Sequence, residues 1–315
     1  MDKHQALQNL LNGTASEWLK EHGDQLSPLE REFIRASQSV KKREQMQWVG
    51  VTVASVVLLL MVVLGVTGKL NRFIYRPVDM EGYWVTIPAG EFQMGSENGD
   101  DNEKPVHPVD VDEFQIGKFE VTNHQYAQCV KAGVCKGGGL EYQDLAGSRL
   151  NLLNDVNYAD HPVVVVSWLQ AQTYCEWIGA RLPTEAEWEK AARGADGRTF
   201  PWGNDFPALE LLNFNSDIGG AAQVGNYSNG VSPYGVYDMA GNVWEWVNDW
   251  YQSDYYATLG DKTSNPQGPS SGDGRVLRGG SWLNLEGNVR SALRGWSYPS
   301  DTYSSVGFRC ARDVP

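Results

Sequence analysis

Apolar and polar positions alternate over Tyr83–Ser96, which reads YWVTIPAGEFQMGS. A two-residue period predicts a hairpin, here with Pro88-Ala89-Gly90 as its turn. The period lengthens to a helical one in TNHQYAQCVKAG, where Thr122 stands as N-cap and Gly133 as the stop. SWLQAQTYCEWIGA predicts a second helix running into RLPTEAEWEKAARG. There Thr184 and Glu187 make a capping box with Pro183 just outside it. Short strands, turns and glycines follow, so the class is α+β with little regular structure. Residues 1–46 also carry helical spacing, in QALQNLLNGTASEWLKEH and in SPLEREFIRASQSVKKREQ, which a Ser-Pro pair opens.

The longest apolar stretch is VGVTVASVVLLLMVVLGVTG, Val49–Gly68, with no charged side chain. Its length suits one transmembrane helix, and Trp48 sits where an interfacial indole belongs. A buried core helix is the competing reading, although such helices rarely run this far without a polar break. A cleaved signal peptide does not fit a run that begins near residue 49 with no small-residue cleavage site after it. Lys41, Lys42 and Arg43 on one side nearly balance Lys69, Arg72 and Arg76 on the other, so flanking charge leaves the orientation open. The chain therefore divides into a helical segment at 1–46, a membrane helix at 47–69 and a main domain at 77–315.

Charge sharpens that division. The first 76 residues hold 10 basic and 7 acidic side chains, and the remainder 16 and 32. The main domain is strongly acidic, which excludes a nucleic-acid partner, because that role needs a basic footprint. It also contains most of the 12 tryptophans and 34 glycines of the chain, as expected where aromatic anchors pin irregular loops. No GxxxxGK[ST] stretch occurs, which removes one mode of nucleotide binding.

The words IPAGEFQMGS, EVTNHQYAQCV, HPVVVVSWLQAQTYCEWIGARLPTEAEWEKAARG, FPWGN, YGVYDMAGNVWEWVNDWY, RVLRGGSW and GFRCARD stand in this order over residues 82–313. Together they resemble the formylglycine-generating enzyme (sulfatase-modifying factor) family. The resemblance implies a variant of the C-type lectin fold, with two helices around a twisted antiparallel sheet. More weakly, residues 27–45 resemble the segment that joins bacterial STAND-type proteins to a membrane helix; a plain cytosolic helix capping an anchor is the other reading.

The oxidase of that family uses two cysteines shortly after its Gly-Gly-Ser word to bind copper and activate oxygen. Here that stretch is SWLNLEGNVRSALR, with Asn284 and Ser291 near the expected places. Without thiolates the copper chemistry has no ligands, so no copper and no enzyme activity are expected. His4, His22, His107, His124 and His161 show no ligand-pair spacing for an iron site. The resemblance instead implies a Cys175–Cys310 disulfide, and Cys129 with Cys135 makes a workable small loop. Two pairs suggest an oxidising compartment, with the main domain outside the cytoplasm of a bacterial inner membrane; four reduced, buried cysteines are the alternative. The family also implies structural Ca²⁺ on Asn242 and Glu245, with a second site at Asn213 and Asp217, oxygen donors suited to that cation; turn capping is the other role for these side chains.

The C-terminal segment RGGSWLNLEGNVRSALRGWSYPSDTYSSVGFRC alternates rigid words with irregular ones. That pattern resembles the variable proteins of diversity-generating retroelements, in which diversified positions lie on an exposed ligand-facing surface. The resemblance assigns ligand binding to Leu283, Asn284, Leu285, Glu286, Leu293, Gly295, Trp296, Ser297, Tyr298, Ser300, Asp301, Thr302, Tyr303, Ser304 and Ser305. Trp282, Val289 and Phe308 read as core, and Arg278, Arg290 and Arg294 as loop-holding donors. Tyr, Ser, Trp and Asn in the irregular words are paratope-like. The expectation is a membrane-anchored, non-catalytic protein that binds a macromolecule, most naturally another protein. An ordinary lectin-type domain with one fixed ligand, and a divergent oxidase acting on a protein cysteine, are the alternatives.

Overall fold

A computed structural model describes residues 82–137, 141–143, 149–260 and 263–314, together with scattered positions between Asp24 and Leu59. The chain divides into two units, Met1–Thr67 and Gly68–Pro315. In the first, the described positions from Pro28 to Leu59 are helical. Among the described residues no helix is long and apolar enough to cross a membrane. Most of the Val49–Gly68 stretch, and with it the expected membrane span, lies outside the described residues.

The second unit is built on short strands. β1 (Trp84–Ile87), β4 (Phe114–Gly117) and β12 (Ala311–Asp313) form one sheet, and β2 (Gly90–Met94), β3 (His107–Val111) and β8 (Thr263–Ser264) another. The largest sheet runs β10-β9-β7-β11, from Arg294–Ser297, Arg275–Arg278, Trp244–Trp250 and Val306–Gly307. β5 (Glu141–Gln143) and β6 (Arg149–Asn151) form a small hairpin. Two pairs are parallel, β11 with β7 and β3 with β8.

The alternation over Tyr83–Ser96 does mark two strands, yet they are not a hairpin. β1 pairs with β4 and β2 with β3, each antiparallel. Pro88-Ala89 is a corner that passes the chain from one sheet to the next, and Gly90 takes it with φ 135, open to glycine alone at no steric cost. Period 2 reports which face of a strand is buried, not which strand lies beside it.

Three helices of the second unit start as their caps dictate. In α1 (Asn123–Lys131), α2 (Trp168–Trp177) and α3 (Glu185–Arg193), Thr122, Ser167 and Thr184 each accept from the N3 amide, and Gln125, Gln170 and Glu187 close the box. Gly133, Gly179 and Gly194 follow them with positive φ. α2 and α3 are thus separate, with Gly179 between them, and in place of the expected pair of helices around one sheet the described residues of the second unit hold these three helices and a four-residue one, α4 (Tyr255–Thr258), among four sheets. Every residue of α3 is buried, although four of its nine side chains are Glu or Lys. Burial of such charges is tolerable only where each is paired, and here each is. Glu187 binds Arg181, Glu189 binds Arg193 and Arg278, Glu185 binds Arg294, and Lys190 donates to the carbonyls of Gly90 and Val111.

The central sheet divides the core. Val276 and Val247 point to a cluster with Trp188, Met239, Phe92 and Ile116. Their neighbours Leu277 and Trp246 point the other way, to Trp168, Tyr174, Phe308 and the four cysteines. Successive side chains of a strand leave opposite faces, so one sheet serves two cores. On the second side Cys129 bonds Cys135 at 2.04 Å, and Cys175 of α2 bonds Cys310 at 1.97 Å, as expected.

Candidate functional site: a C-terminal surface on an arginine frame

Residues 281–305 cross the edge of the central sheet, and arginines beneath them fix the backbone at Gly287 and Ser291–Leu293. Arg278, at the end of β9, donates through Nη1 to the carbonyls of Ala292 (3.0 Å) and Leu293 (2.7 Å), and through Nη2 to Ser291 O (2.8 Å) and to Glu189. Arg294 holds Glu185 through Nε (2.8 Å) and Nη2 (3.0 Å), and reaches Asn102 O with Nη1. Arg290 grips both oxygens of Glu103, at 2.6 and 2.7 Å, and donates to Gly287 O. Burial alone would raise the Glu185 carboxyl, but Arg294 and Arg278 outweigh it and hold it below the usual carboxylate range. The charged form is the one the frame uses. A guanidinium can bond three or four acceptors in a plane, so one residue pins several backbone carbonyls of an irregular loop.

The side chains above this frame point to solvent. Trp296, Tyr298 and Tyr303 are 46%, 54% and 47% exposed, and Leu283 and Leu285 are exposed beside them. Trp296 is nonetheless held. It stacks on Tyr251 at 5.7 Å between centroids, meets Tyr298 edge-on at 5.6 Å, and its ring lies so close over Gly274 that a Cβ there would collide with it. Asp301 Oδ2 accepts from Ser297 Oγ (2.7 Å) and Tyr303 OH (3.2 Å). Glu286, Ser300 and Thr302 are exposed; Asn284, Gly295, Asp301, Ser304 and Ser305 are half-buried. Ser304 also enters a cavity of about 350 Å³ lined by Leu152, Tyr158, His161, Val164 and Ile218.

Two of the expected ligand contacts are corrected. Leu293 is 5% exposed and Ser297 8%, and both belong to the support. Leu293 is drawn in by the Arg278 bond to its carbonyl, and Ser297 faces inward on β10, opposite to Trp296. Tyr251, Gly274 and the cavity residues had no sequence signal, since they come from words that look structural and lie far away in the chain.

Asn284 and Ser291, near the places where the resembling family's thiols are expected, differ in role: Asn284 holds a turn, and the buried Ser291 Oγ has no hydrogen-bond partner. Asn284 Oδ1 accepts from both N and Oγ of Ser281 at 2.9 Å, and Ser291 is buried. All four cysteines are in disulfides.

The expected calcium pair does not fit a cation. Glu245 gives Oε1 to Arg309 Nη2 and Oε2 to Arg309 Nε and Trp188 Nε1, at 2.7–2.8 Å. A buried guanidinium already neutralises that carboxylate. Asn242 Oδ1 accepts from Ala222 N and Asn213 Nδ2, and its Nδ2 donates to Glu120. Asp217 is exposed while Asn213 is buried. Of these four residues, Asn213 fits: its Oδ1 is buried without a hydrogen-bond partner. Glu120 and Asp238 share the floor nearby. Burial, then the Asp238 charge, pushes Glu120 well up, and burial pushes Asp238 up to about 6.

Residues 73–314 match the sulfatase-modifying factor enzyme 1-like domain. The chain is 40% identical over 240 residues to a serine/threonine-protein kinase pkn1 of Chlamydia pneumoniae, covering 73% of this chain and 38% of that one. It thus spans well under half the length of this relative. It is 35% identical over 293 residues to the formylglycine-generating enzyme of Streptomyces coelicolor, covering 76% of this chain and 91% of the enzyme. Among solved structures, Treponema denticola variable protein 1 superposes with a TM-score of 0.61 at 25% identity, covering 73% of this chain and 95% of the other. The enzyme relatives correct the expectation that the chain is no enzyme, which rested on the two missing thiols: its kin at this identity carry enzyme names. By its fold and by the match over residues 73–314, the chain belongs to the family of sulfatase-modifying factor enzyme 1-like domains.

Proposed function

We propose that the domain binds a protein partner through the surface formed by Leu283, Leu285, Trp296, Tyr298 and Tyr303. One observation carries this reading. Three large aromatic side chains are about half exposed, yet their backbone is held without them: Trp296 pairs with Val276 in the β10–β9 ladder, Asp301 N donates to Tyr298 O, and Val165 N donates to Tyr303 O. Rigid amphipathic rings on a fixed backbone give contact area at low entropic cost, as in paratopes and interface hot spots. The likeness to Treponema denticola variable protein 1 supports a surface of the diversified kind. The apolar Val49–Gly68 run supports attachment by one membrane helix, and the two disulfides support a domain outside the cytoplasm. Protease added to intact spheroplasts removes the domain if this topology holds and spares it if not. A Ca²⁺ held in part by Asn213 Oδ1 is part of the same reading; an unchanged melting temperature in EDTA removes it.

The test of the binding surface is the triple variant Trp296→Ala, Tyr298→Ala, Tyr303→Ala. Affinity for a partner captured by cross-linking falls by several kcal/mol, at about 2 kcal/mol for each central aromatic, while melting stays near the parent's. Unchanged capture disproves the surface. A second reading, a divergent oxidase acting on a protein cysteine, is favoured by the enzyme relatives. It predicts oxygen-dependent conversion of a cysteine peptide, and the triple variant distinguishes the two by leaving such turnover independent of partner capture.

A further inference from the structure

Arg275 opens β9 where the central sheet meets the first turn of α2. Its guanidinium lies flat between two indoles, 3.8 Å from the ring centroid of Trp168 and 3.6 Å from that of Trp250. With both faces covered, only the edges of the group can bond. Nη1 donates to Asn248 O. Nε is buried and has no hydrogen-bond partner. Among the described residues no carboxylate pairs with Arg275, whereas Arg278, Arg290, Arg294 and Arg309 each hold a Glu. This is an unneutralised cation in a domain with a large acidic excess, and burial, only partly offset by Asp249, pushes it down to about 10. Asp249 is itself driven toward its neutral form by burial and then by the Glu185 charge, so it opposes an incoming anion weakly.

The surroundings favour an anion further. Trp168 is the first residue of the ten-residue α2, so the positive end of that helix adjoins the cation. In register, Arg275 stands opposite Ser297, the last residue of β10, beside the Tyr298–Ser305 loop. An arginine serving only to join α2 to the sheet would gain from a carboxylate at the same edge, and the sequence supplies none there.

We propose that Arg275 is a recognition site for a carboxylate, which its Nε–Nη2 edge takes as a fork between the two indole faces. This site does not depend on the aromatic surface. A carboxylate at that edge gives the orphaned Nε its missing acceptor and forms two parallel charge-assisted bonds. No bond to either indole changes, so a ligand alters ring-current and hydrogen-bond environments without unfolding the clamp.

The test uses the full chain in detergent, labelled with nitrogen-15 at the tryptophan indoles. Sodium acetate and inorganic phosphate are titrated separately at constant ionic strength against chloride. The expected result is a saturable shift of the Trp168 and Trp250 indole signals with acetate, with a midpoint of about 10 mM, and about tenfold weaker response in Arg275→Lys, which keeps the charge and loses the fork. The Trp296→Ala, Tyr298→Ala, Tyr303→Ala variant retains the acetate response, which separates this site from the aromatic surface. A wild-type titration that does not saturate overturns the proposal whether or not the lysine variant folds. So does an equal response in Arg275→Lys, which reports a general charge effect, and so does saturation by phosphate without acetate.

Discussion

The two levels of the 281–305 segment obey opposite rules. Below, Arg278, Arg290 and Arg294 are buried or nearly so and paired with Glu185, Glu189 and Glu103 through charge-assisted bonds. Above, Trp296, Tyr298, Leu283 and Leu285 are apolar and meet solvent. Polar groups form the support and apolar groups the surface, the reverse of an ordinary domain. The inversion has a physical cause. An irregular loop has no ladder of its own, so its carbonyls need donors from elsewhere, and guanidinium groups supply several each. Once the backbone is held this way, the outward side chains are released from any duty to the core. A surface built so can vary in sequence while its backbone stays put.

Breaking the lower level is expected to have the largest effect. Arg278→Ala leaves Glu189 buried without its cation and frees three carbonyls, at a cost of about 3–5 kcal/mol in chemical denaturation. If the variant melts with the parent, the frame is not what supports the segment. Next comes the Cys175–Cys310 bridge, which ties α2 to the residue just before β12 across 135 residues. Replacing both cysteines by serine costs about 5 kcal/mol by the loop-closure estimate; a loss near zero means the loop ends are already held by packing.

Titration tests a second buried cluster, Glu120 and Asp238 beside Asn242. Glu120 and Asp238 are both raised above their ordinary values in the fold, first by burial. The unfolded chain therefore gives up these protons at lower pH than the fold does. The stability tied to the neutral forms is complete below the ordinary carboxylate pKa and is lost as pH rises through about 6 and beyond. Each such proton contributes a slope of up to about 1.4 kcal/mol per pH unit. Glu120→Gln keeps an acceptor for Asn242 Nδ2 and removes one of the protons, so urea melts between pH 5 and 8 show a shallower decline than the parent. An equally steep decline in the variant assigns the titration elsewhere.

The upper level is expected to give the smallest effect on stability. The Trp296→Ala, Tyr298→Ala, Tyr303→Ala variant loses within about 0.5 kcal/mol per exposed position, with Trp296 the largest because it stacks on Tyr251. Thermal unfolding of the variant checks this. A loss of several kcal/mol makes the three rings part of the core and abolishes the contrast between the two levels.

Local patterns carried far in this chain. The three capping boxes of α1, α2 and α3 lie within four residues each, so Thr122, Ser167 and Thr184 could be identified without a fold. The family words located the Cys175–Cys310 bridge and the surface bearing Trp296 and Tyr303, because such words encode packing found in related chains. Pairing between distant segments was not legible. Alternation over Tyr83–Ser96 could not say that β1 belongs with β4 and β2 with β3. The partners of charged residues were equally hidden. Nothing near Glu245 announces that Arg309 occupies its carboxylate and leaves it unfit for calcium, nor that Leu293 is drawn inward by Arg278.

By itself, then, the sequence determined where helices begin, which cysteines pair, and which segment alternates between rigid and irregular words. These depend on neighbours within a few residues or on words shared with a family. Tertiary structure alone decided which charges find partners, which irregular side chains reach water, and that Arg275 lies between two indoles with no carboxylate paired to it among the described residues. Those outcomes turn on contacts between segments tens to hundreds of residues apart. Electrostatic and hydrogen-bond energies there fall steeply with distance and with the angle of approach, and one-dimensional spacing holds neither quantity.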